Sequence, residues 1–542
     1  MRAVDVYSGI GGWTCGLRLA GIDIVGSFEW WPAAVDTNNA NNGGSFVPID
    51  VRTMDLNTLP SDIDLVVGSP PCTQFSYSNR GGYGDLDEGL KDIVRFLEIV
   101  RFLRPRFWAM ENVPRVAKIL ADGFRDPQHI LYEYRDLQPH ISVLDFSRYG
   151  APQVRKRCIA GNIPFPTLAR YSIGLSVKSL GDVVGSLGLE GEITDPVWGV
   201  SLPASEVSER QAEAPLTPEE LRLNREAKEH HPVYNNMAFP DSLDAPSRTV
   251  TATCTRVSRE SIVIRDSAIG AHRRLSVRER ATLQGFPITY QFYAPSYSQK
   301  VKMIGNAVPP TFSFLLGLAV QGRAFEGFYP SGGALTKPER NAPITKPDHP
   351  AGKYREGRRF RAAIPGLRFK SGLRFELCND FPGGSASWLV KFVHGTPKDI
   401  RELPLDGAAT AQLRSSTAFG ARRDAVDEAL LKAEEQLRWI QPMQLQAAWT
   451  RRGDGLGPFD VIDVLSDAAR HISDLLADLH RDQLEQSVLR IIGGGTSISA
   501  NPAYHLPRTL KLRSNALAIA SGFLVGDWFN RLMCSHEAKV AA

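Results

Sequence analysis

A rhythm at the start of the chain narrows its possible folds more than any other feature. Up to Phe165, short apolar runs (Val4 to Tyr7, Ile22 to Gly26, Ile63 to Gly68, Phe107 to Met110, Ile141 to Leu144, Cys158 to Ala160) alternate with stretches of helical period. In the clearest of these stretches Leu90, Ile93, Val94, Leu97 and Val100 share one helix face, and the pattern stops at Arg104-Pro105, where proline ends the helix. Runs this short, with polar residues at their carboxyl ends and helices between them, predict a mostly parallel α/β sheet covered on both faces. Ligands of such sheets collect at the carboxyl ends of the strands.

Beyond Phe165 the rhythm is lost, and the sequence divides into a core at 1–164, an irregular block at 165–247 rich in charges and prolines, and a return of regular pattern at 248–330. That return holds Arg248 to Thr253, a helix-like stretch from Ser276 to Gln284 and an apolar helix from Thr311 to Val320. A linker at 331–352 carries Ser331-Gly332-Gly333 and several prolines. The extension at 353–542 mixes strands (Arg368 to Leu377, Trp388 to Val393) with a helical part at 420–490, where Val461, Val464, Leu465, Ala468, Ile472, Leu475, Leu476 and Leu479 form an apolar stripe. Several domains are expected, since the 542 residues exceed the roughly 300 at which a single core stops growing.

Composition removes whole classes of protein. No stretch approaches the roughly 20 uninterrupted apolar residues of a membrane-spanning helix. The run Val4 to Tyr7 follows Met1 so closely that no leader is expected, and the protein is expected in the cytoplasm. Six cysteines are scattered without a CxxC pair or a Cys/His cluster, so free thiols and no metal are expected. A net charge of +4 permits a nucleic-acid partner without requiring one.

Several short segments stand where strands end. Gly68-Ser69-Pro70-Pro71-Cys72-Thr73-Gln74-Phe75-Ser76 puts Cys72 in a loop at the sheet rim, where a thiol near a cation acts as a nucleophile, although a lone cysteine is more often structural. Glu111-Asn112-Val113 brings a carboxyl to the same rim, although alone such an acid is more often a helix cap or a surface residue. Gln153-Val154-Arg155-Lys156-Arg157 leads into the run at Cys158, where basic residues usually mark a solvated edge. Tyr7-Ser8-Gly9-Ile10-Gly11-Gly12-Trp13 is a glycine-rich turn that lets backbone approach a ligand, and Phe28-Glu29-Trp30 follows at the spacing of an acid that binds ribose hydroxyls. The pair points to an adenosine-containing ligand. Asp50-Val51 and Gly305-Asn306-Ala307-Val308-Pro309-Pro310 complete the set.

In this order and spacing the segments resemble the motif series of the C5-cytosine-specific DNA methyltransferase family, over about residues 1–325. The resemblance implies a Rossmann-like S-adenosylmethionine-dependent methyltransferase sheet, a smaller target-recognition region at 165–247 and an α+β C-terminal extension of unassigned role. It implies that Tyr7, Gly9, Gly11 and Gly12 wrap the methionine part of S-adenosyl-L-methionine. Glu29 would bind ribose, Trp30 stack near adenine, Asp50 and Val51 meet the adenine edge, Pro71 border the pocket, and Asn306 with Val308 close it. Cys72, Glu111, Arg155 and Arg157 are the implied catalytic set. Thr73 stands where the family usually has Gln, with Gln74 one place later, which puts the loop's DNA contacts in doubt.

The implied reaction explains the residue types. Carbon 5 of cytosine is a poor nucleophile until a thiolate adds at carbon 6, so Cys72 makes a covalent adduct. Glu111, kept protonated by burial, donates to N3, and Arg155 holds the ring oxygen and favours the thiolate. The base must leave the stack, at a cost of a few kcal/mol. The loop from Gln74 to Gly89 is expected to close over it. Arg210, Arg222, Arg225, Lys228, His230 and His231 are candidate contacts to phosphates and base edges. A basic and aromatic stretch from Lys353 to Lys370 is a second candidate nucleic-acid surface. The expected partner is double-stranded DNA, with a companion restriction endonuclease as a further candidate, and the expected state is a monomer. Two alternatives stay open: a tRNA cytosine-5 methyltransferase on the same frame, and an inactive homologue that only binds DNA.

Overall fold

Strand β1 (Arg2–Val6) is buried from Ala3 onward and stops one residue before the apolar run does, because Tyr7 takes a left-handed backbone (φ 58) that no strand continues through. In the computed structural model, which describes every residue except 73, 76–85, 189, 230–236, 330–334, 346–358, 370–372, 397–398, 404, 406, 416, 421, 452–455, 480–487, 489–512 and 542, the chain separates into two units. One joins Met1–Leu216 with Pro240–His349, the other Thr217–Phe239 with Pro350–Ala542.

In the first unit β1 pairs in parallel with β2 (Asp23–Phe28) and β3 (Leu65–Gly68), and β3 with β4 (Phe107–Asn112). After β5 (His140–Asp145) and the two-residue β6 (Gln153–Val154), β7 (Lys156–Gly161) inserts antiparallel between β4 and β5. The six-stranded order is β2-β1-β3-β4-β7-β5, so the mostly parallel sheet expected from the rhythm is present. Hairpins β8 (Glu192–Thr194) with β9 (Ser201–Pro203), and β11 (Val263–Asp266) with β12 (Ala271–Arg274), lie beyond it; β10 (Ser247–Arg248) pairs with β6.

Helices α1 (Gly12–Leu19), α2 (Pro32–Asn42), α3 (Leu86–Leu103), α4 (Arg115–Gly123), α5 (Phe165–Tyr171) and α6 (Leu180–Leu187) follow in order. Helix α3 buries Leu90, Ile93, Phe96, Leu97 and Val100, each worth about 1.5–3 kcal/mol where fully covered. After α7 (Pro218–Lys228), which belongs to the second unit, come α8 (Val277–Leu283), α9 (Tyr297–Asn306) and α10 (Pro310–Val320). Helices α1 and α10 touch backbone to backbone. A Cβ on Gly12 would stand 2.2 Å from the Val308 carbonyl oxygen, and one on Gly16 would stand 2.2 Å from that of Pro310.

Tyr297–Val320 is long and apolar enough to cross a membrane, with mean hydropathy 1.5, yet 94% of its most apolar window is buried. It is broken between Asn306 and Pro310 into α9 and α10, and it forms the core beneath the site.

The second unit holds the antiparallel sheet β13 (Arg361–Arg368), β14 (Arg374–Asp380), β15 (Ser387–Thr396) and β16 (Asp399–Leu403), in chain order. The single strand expected from Arg368 to Leu377 is two strands, with Arg368 paired to Arg374; the intervening Lys370-Ser371-Gly372 offers no apolar side chain to bury. Helices α11 (Gly407–Arg414), α12 (Thr417–Gly420), α13 (Arg423–Leu437), α14 (Pro442–Arg451), α15 (Pro458–Leu475) and α16 (Arg513–Ala541) complete it, and α15 buries Val461, Leu465, Ala468 and Ile472 of the expected stripe.

Helix α7 starts on a Thr217/Glu220 capping box with Pro218 in its first turn. The Arg222 guanidinium lies 4.4 Å from the Trp449 ring centre and donates to the Ala448 and Trp449 carbonyls, while Arg225 reaches Asp463 at 3.3 Å. Lys228 is buried and donates to Asn224 at 2.7 Å. These three cations, expected against DNA, are therefore engaged inside the second unit, and the block drawn at 165–247 does not stay together. His230, His231 and much of the basic stretch from Lys353 lie outside the described residues.

Candidate active site

The turn after β1 needs its glycines for two different reasons. Gly9 (φ 54) and Gly11 (φ 80) are left-handed, a conformation that glycine adopts without penalty. A Cβ on Gly9 would meet nothing within 4 Å, so this residue borders open space. At Gly11 a Cβ would collide with Asn38 at 2.1 Å, and Gly12 abuts Val308, so these two permit packing rather than line a cavity. The Gly9 amide donates to Glu29 at 3.1 Å, and the Trp31 amide donates to the other Glu29 oxygen at 2.8 Å. Burial raises the Glu29 pKa, with these backbone donors opposing it.

Beside this turn is a cavity of about 360 Å³. Of the residues expected to hold the cofactor, Tyr7, Trp30, Asp50, Val51 and Pro71 line it. Trp30 presents an indole that is 67% exposed. Asp50 accepts the Arg52 amide at 2.9 Å, which closes its own turn. Asn306 is exposed at the end of α9 and Val308 is buried against Gly12; neither lines the cavity. Four other lining residues, Arg52, Gln74, Glu88 and Asp92, were not singled out as cofactor ligands.

At the neighbouring strand ends, β3 leads into the Pro-Cys loop and β4 ends on Glu111 and Asn112. The Asn112 amide donates to the Pro70 carbonyl at 3.1 Å and so ties the loop to β4. Glu111 is buried, and Arg157 on the adjacent antiparallel β7 meets it, Nε to Oε1, at 2.9 Å. Ser69 also hydrogen-bonds Glu111 and accepts the Trp13 indole N–H at 3.0 Å, which links the carboxyl to α1.

Arg155 does something else. Its Nη1 donates to the Val250 carbonyl at 3.1 Å, and its Nη2 donates to those of Gly305 and Ala307 at 3.0 and 3.3 Å. The terminal nitrogens of Arg155 face backbone carbonyls, whereas Arg157 faces Glu111. Gln153 acts alongside, accepting the Val250 amide at 2.8 Å and donating to the Leu283 carbonyl at 3.0 Å.

The electrostatics match a buried acid beside a partly buried thiol. Burial raises the Glu111 pKa against the pull of Arg157 and Arg155. Burial, then the Glu111 charge, raises that of Cys72, again against Arg157 and Arg155. Arg157 and Arg155 thus both favour the thiolate, against the larger effects of burial and the Glu111 charge. All six cysteines are free, and among the described residues no group of three His, Cys, Asp or Glu side chains is arranged to hold a metal ion.

The sequence profile of the C-5 cytosine-specific DNA methylases matches residues 1–163 and 204–321. The Type II methyltransferase M1.HphI of Haemophilus parahaemolyticus is 27% identical over 360 residues, spanning 58% of this chain and 86% of that protein. M.HindV of Haemophilus influenzae is 27% identical over 335 residues, spanning 59% and 96%. Among solved structures, a putative DNA modification methyltransferase encoded within an E. coli prophage aligns with a TM-score of 0.42 at 20% identity, covering 59% of this chain and 98% of that one. The profile stops before the second unit's main segment begins at Pro350, but it covers more than half of the chain and every strand of the central sheet. The chain belongs to the C-5 cytosine-specific DNA methylase family and is a DNA (cytosine-5-)-methyltransferase.

Proposed function

We propose that the protein methylates C5 of a cytosine extruded from duplex DNA, with Cys72 as a transient covalent nucleophile. The observation that supports this most is that the Cys72 thiol lies in the field of the buried Arg157–Glu111 pair at the rim of the sheet. Burial raises the pKa of both groups, so each holds its proton more firmly than it would in water.

In the reactive form the proton sits on Glu111 and Cys72 is a thiolate. The sulfur adds to C6, electron density moves through the ring, and N3 takes the proton from Glu111. Arg157, oriented by Glu111, holds the ring oxygen. C5 is now an enamine carbon. When bound, S-adenosyl-L-methionine supplies a methyl group on a sulfonium, electrophilic enough for that carbon to take. A base reached through water then removes the C5 proton, the C6–S bond breaks with its electron pair returning to Cys72, and the N3 proton returns to Glu111. Arg155 supports the site from beneath by joining the carbonyls of Val250, Gly305 and Ala307.

The residues of the cavity suit the donor. An exposed indole at Trp30 offers a face to adenine, Glu29 stands at the end of β2 with its oxygens on the backbone of the glycine turn, and Gly9 leaves open space beside it. The relatives carry Type II methyltransferase names, so a companion restriction endonuclease is the proposed partner system.

Labelled donor with DNA, with tRNA, and with DNA carrying 5-fluorocytosine tests the reading. The intact enzyme should label DNA and become trapped on the fluorinated strand, and Cys72→Ser should do neither. Methylation surviving in Cys72→Ser, or label entering tRNA but not DNA, would overturn it.

A further inference from the structure

The cavity beside the glycine turn has one wall that is charged and belongs to none of the motifs. Arg52 donates Nε and Nη2 to the two Asp92 oxygens at 2.7 Å each, and Nη1 to Glu88 at 2.6 Å. The Tyr7 hydroxyl donates to the same Asp92 carboxylate at 3.2 Å. Further along the same helix, Arg95 donates Nε to the Val51 carbonyl at 2.9 Å and Nη2 to that of Met54. Glu88, Asp92 and Arg95 are spaced by four and three residues and so form one polar stripe of α3. That stripe clasps the turn from Asp50 to Met54.

Asp92 is 5% exposed at its side chain, and Arg52 is 40% exposed. A nearly buried carboxylate is costly unless paired, and a bidentate guanidinium is the pairing that also fixes direction. Arg52 is thus held as a rigid edge of the cavity, and Tyr7 is held by the same acceptor. A ligand entering there meets two side chains already immobilised and loses less freedom in ordering them.

We infer that Arg52 and Asp92 are a positioning pair for the adenosyl part of the methyl donor, holding Tyr7 and the Asp50–Val51 turn in the geometry that receives it. The inference rests on the reading of this cavity as the donor site. The pair contacts no reacting atom. Its effect falls on donor affinity and not on the chemical step.

Equilibrium titration of the full-length protein with S-adenosylhomocysteine tests this, using Arg52→Ala, Arg52→Lys, Asp92→Asn, the Arg52→Ala/Asp92→Asn double variant and Trp30→Ala. Arg52→Ala and Asp92→Asn should each weaken binding about tenfold. Arg52→Lys should fall between, because an ammonium keeps the charge and loses the fork. The double variant should be no weaker than the worse single one, since the two act as a unit. KM for the donor should rise while kcat at saturating donor stays within about threefold. Trp30→Ala weakening binding while Arg52→Ala binds like the unaltered protein would overturn the inference and leave the donor site standing. A lowered melting temperature in Arg52→Ala without a change in affinity would do the same. If Trp30→Ala and Arg52→Ala both bind unchanged, the donor site itself lies elsewhere and both readings fall.

Discussion

Cys72 reacts only as a thiolate, and the negative charge of Glu111 holds its proton in place while Arg157 and Arg155 loosen it. Glu111→Gln removes the opposing charge and leaves both cations, so the Cys72 pKa falls. The pH at which iodoacetamide labelling of Cys72 reaches half its plateau should then move down, and in Arg157→Ala it should move up. The same Glu111→Gln enzyme has no proton to give N3, and its methylation rate should drop by about 10²–10⁴-fold. A more reactive sulfur with a slower enzyme is the signature. A labelling midpoint unmoved by Glu111→Gln would mean the carboxylate is not felt at the sulfur.

Helices α1 and α10 meet through glycines, and that contact brings the chain after α9 back against the turn that follows β1. Gly12→Ala and Gly16→Ala each put a methyl about 2.2 Å from a backbone oxygen, so each should destabilise the protein by ~1–3 kcal/mol or more. Gly185→Ala in α6 meets nothing within 4 Å and should stabilise by ~0.5–1 kcal/mol; thermal melting distinguishes the three. The strands were legible in the sequence because each is a short apolar run bounded by polar residues. Tyr7 was drawn into the first strand because an apolar pattern carries no record of φ. Which of Arg155 and Arg157 reaches Glu111 was not legible, since it depends on pairing between strands far apart in sequence, with Asn112 opposite Cys158. Arg52 and Asp92 were not legible because they lie forty positions apart and leave no local pattern. The capping box of α7 could be read locally as Thr217-Pro218-Glu219-Glu220, but the unit it packs into could not.

On the scale of the whole molecule, the second unit is assembled from two stretches, Thr217–Phe239 and everything from Pro350. Ending the chain at His349 would keep α7 and remove Trp449, Phe459 and Asp463, the partners of its Arg222 and Arg225. That truncation should aggregate or melt well below the full chain. The same truncation with Thr217–Phe239 replaced by a short Gly-Ser linker should recover a soluble protein, as read by size-exclusion chromatography and melting. Identical behaviour of the two truncations would refute the dependence. The divided unit also has a consequence during synthesis. Helix α7 emerges from the ribosome long before Trp449 and Phe459 do, and at roughly 5–20 residues per second the interval is on the order of ten seconds or more. Throughout that wait its apolar side is open to other nascent chains, so translation speed and chaperone supply, as well as equilibrium stability, govern how much finished enzyme a cell obtains.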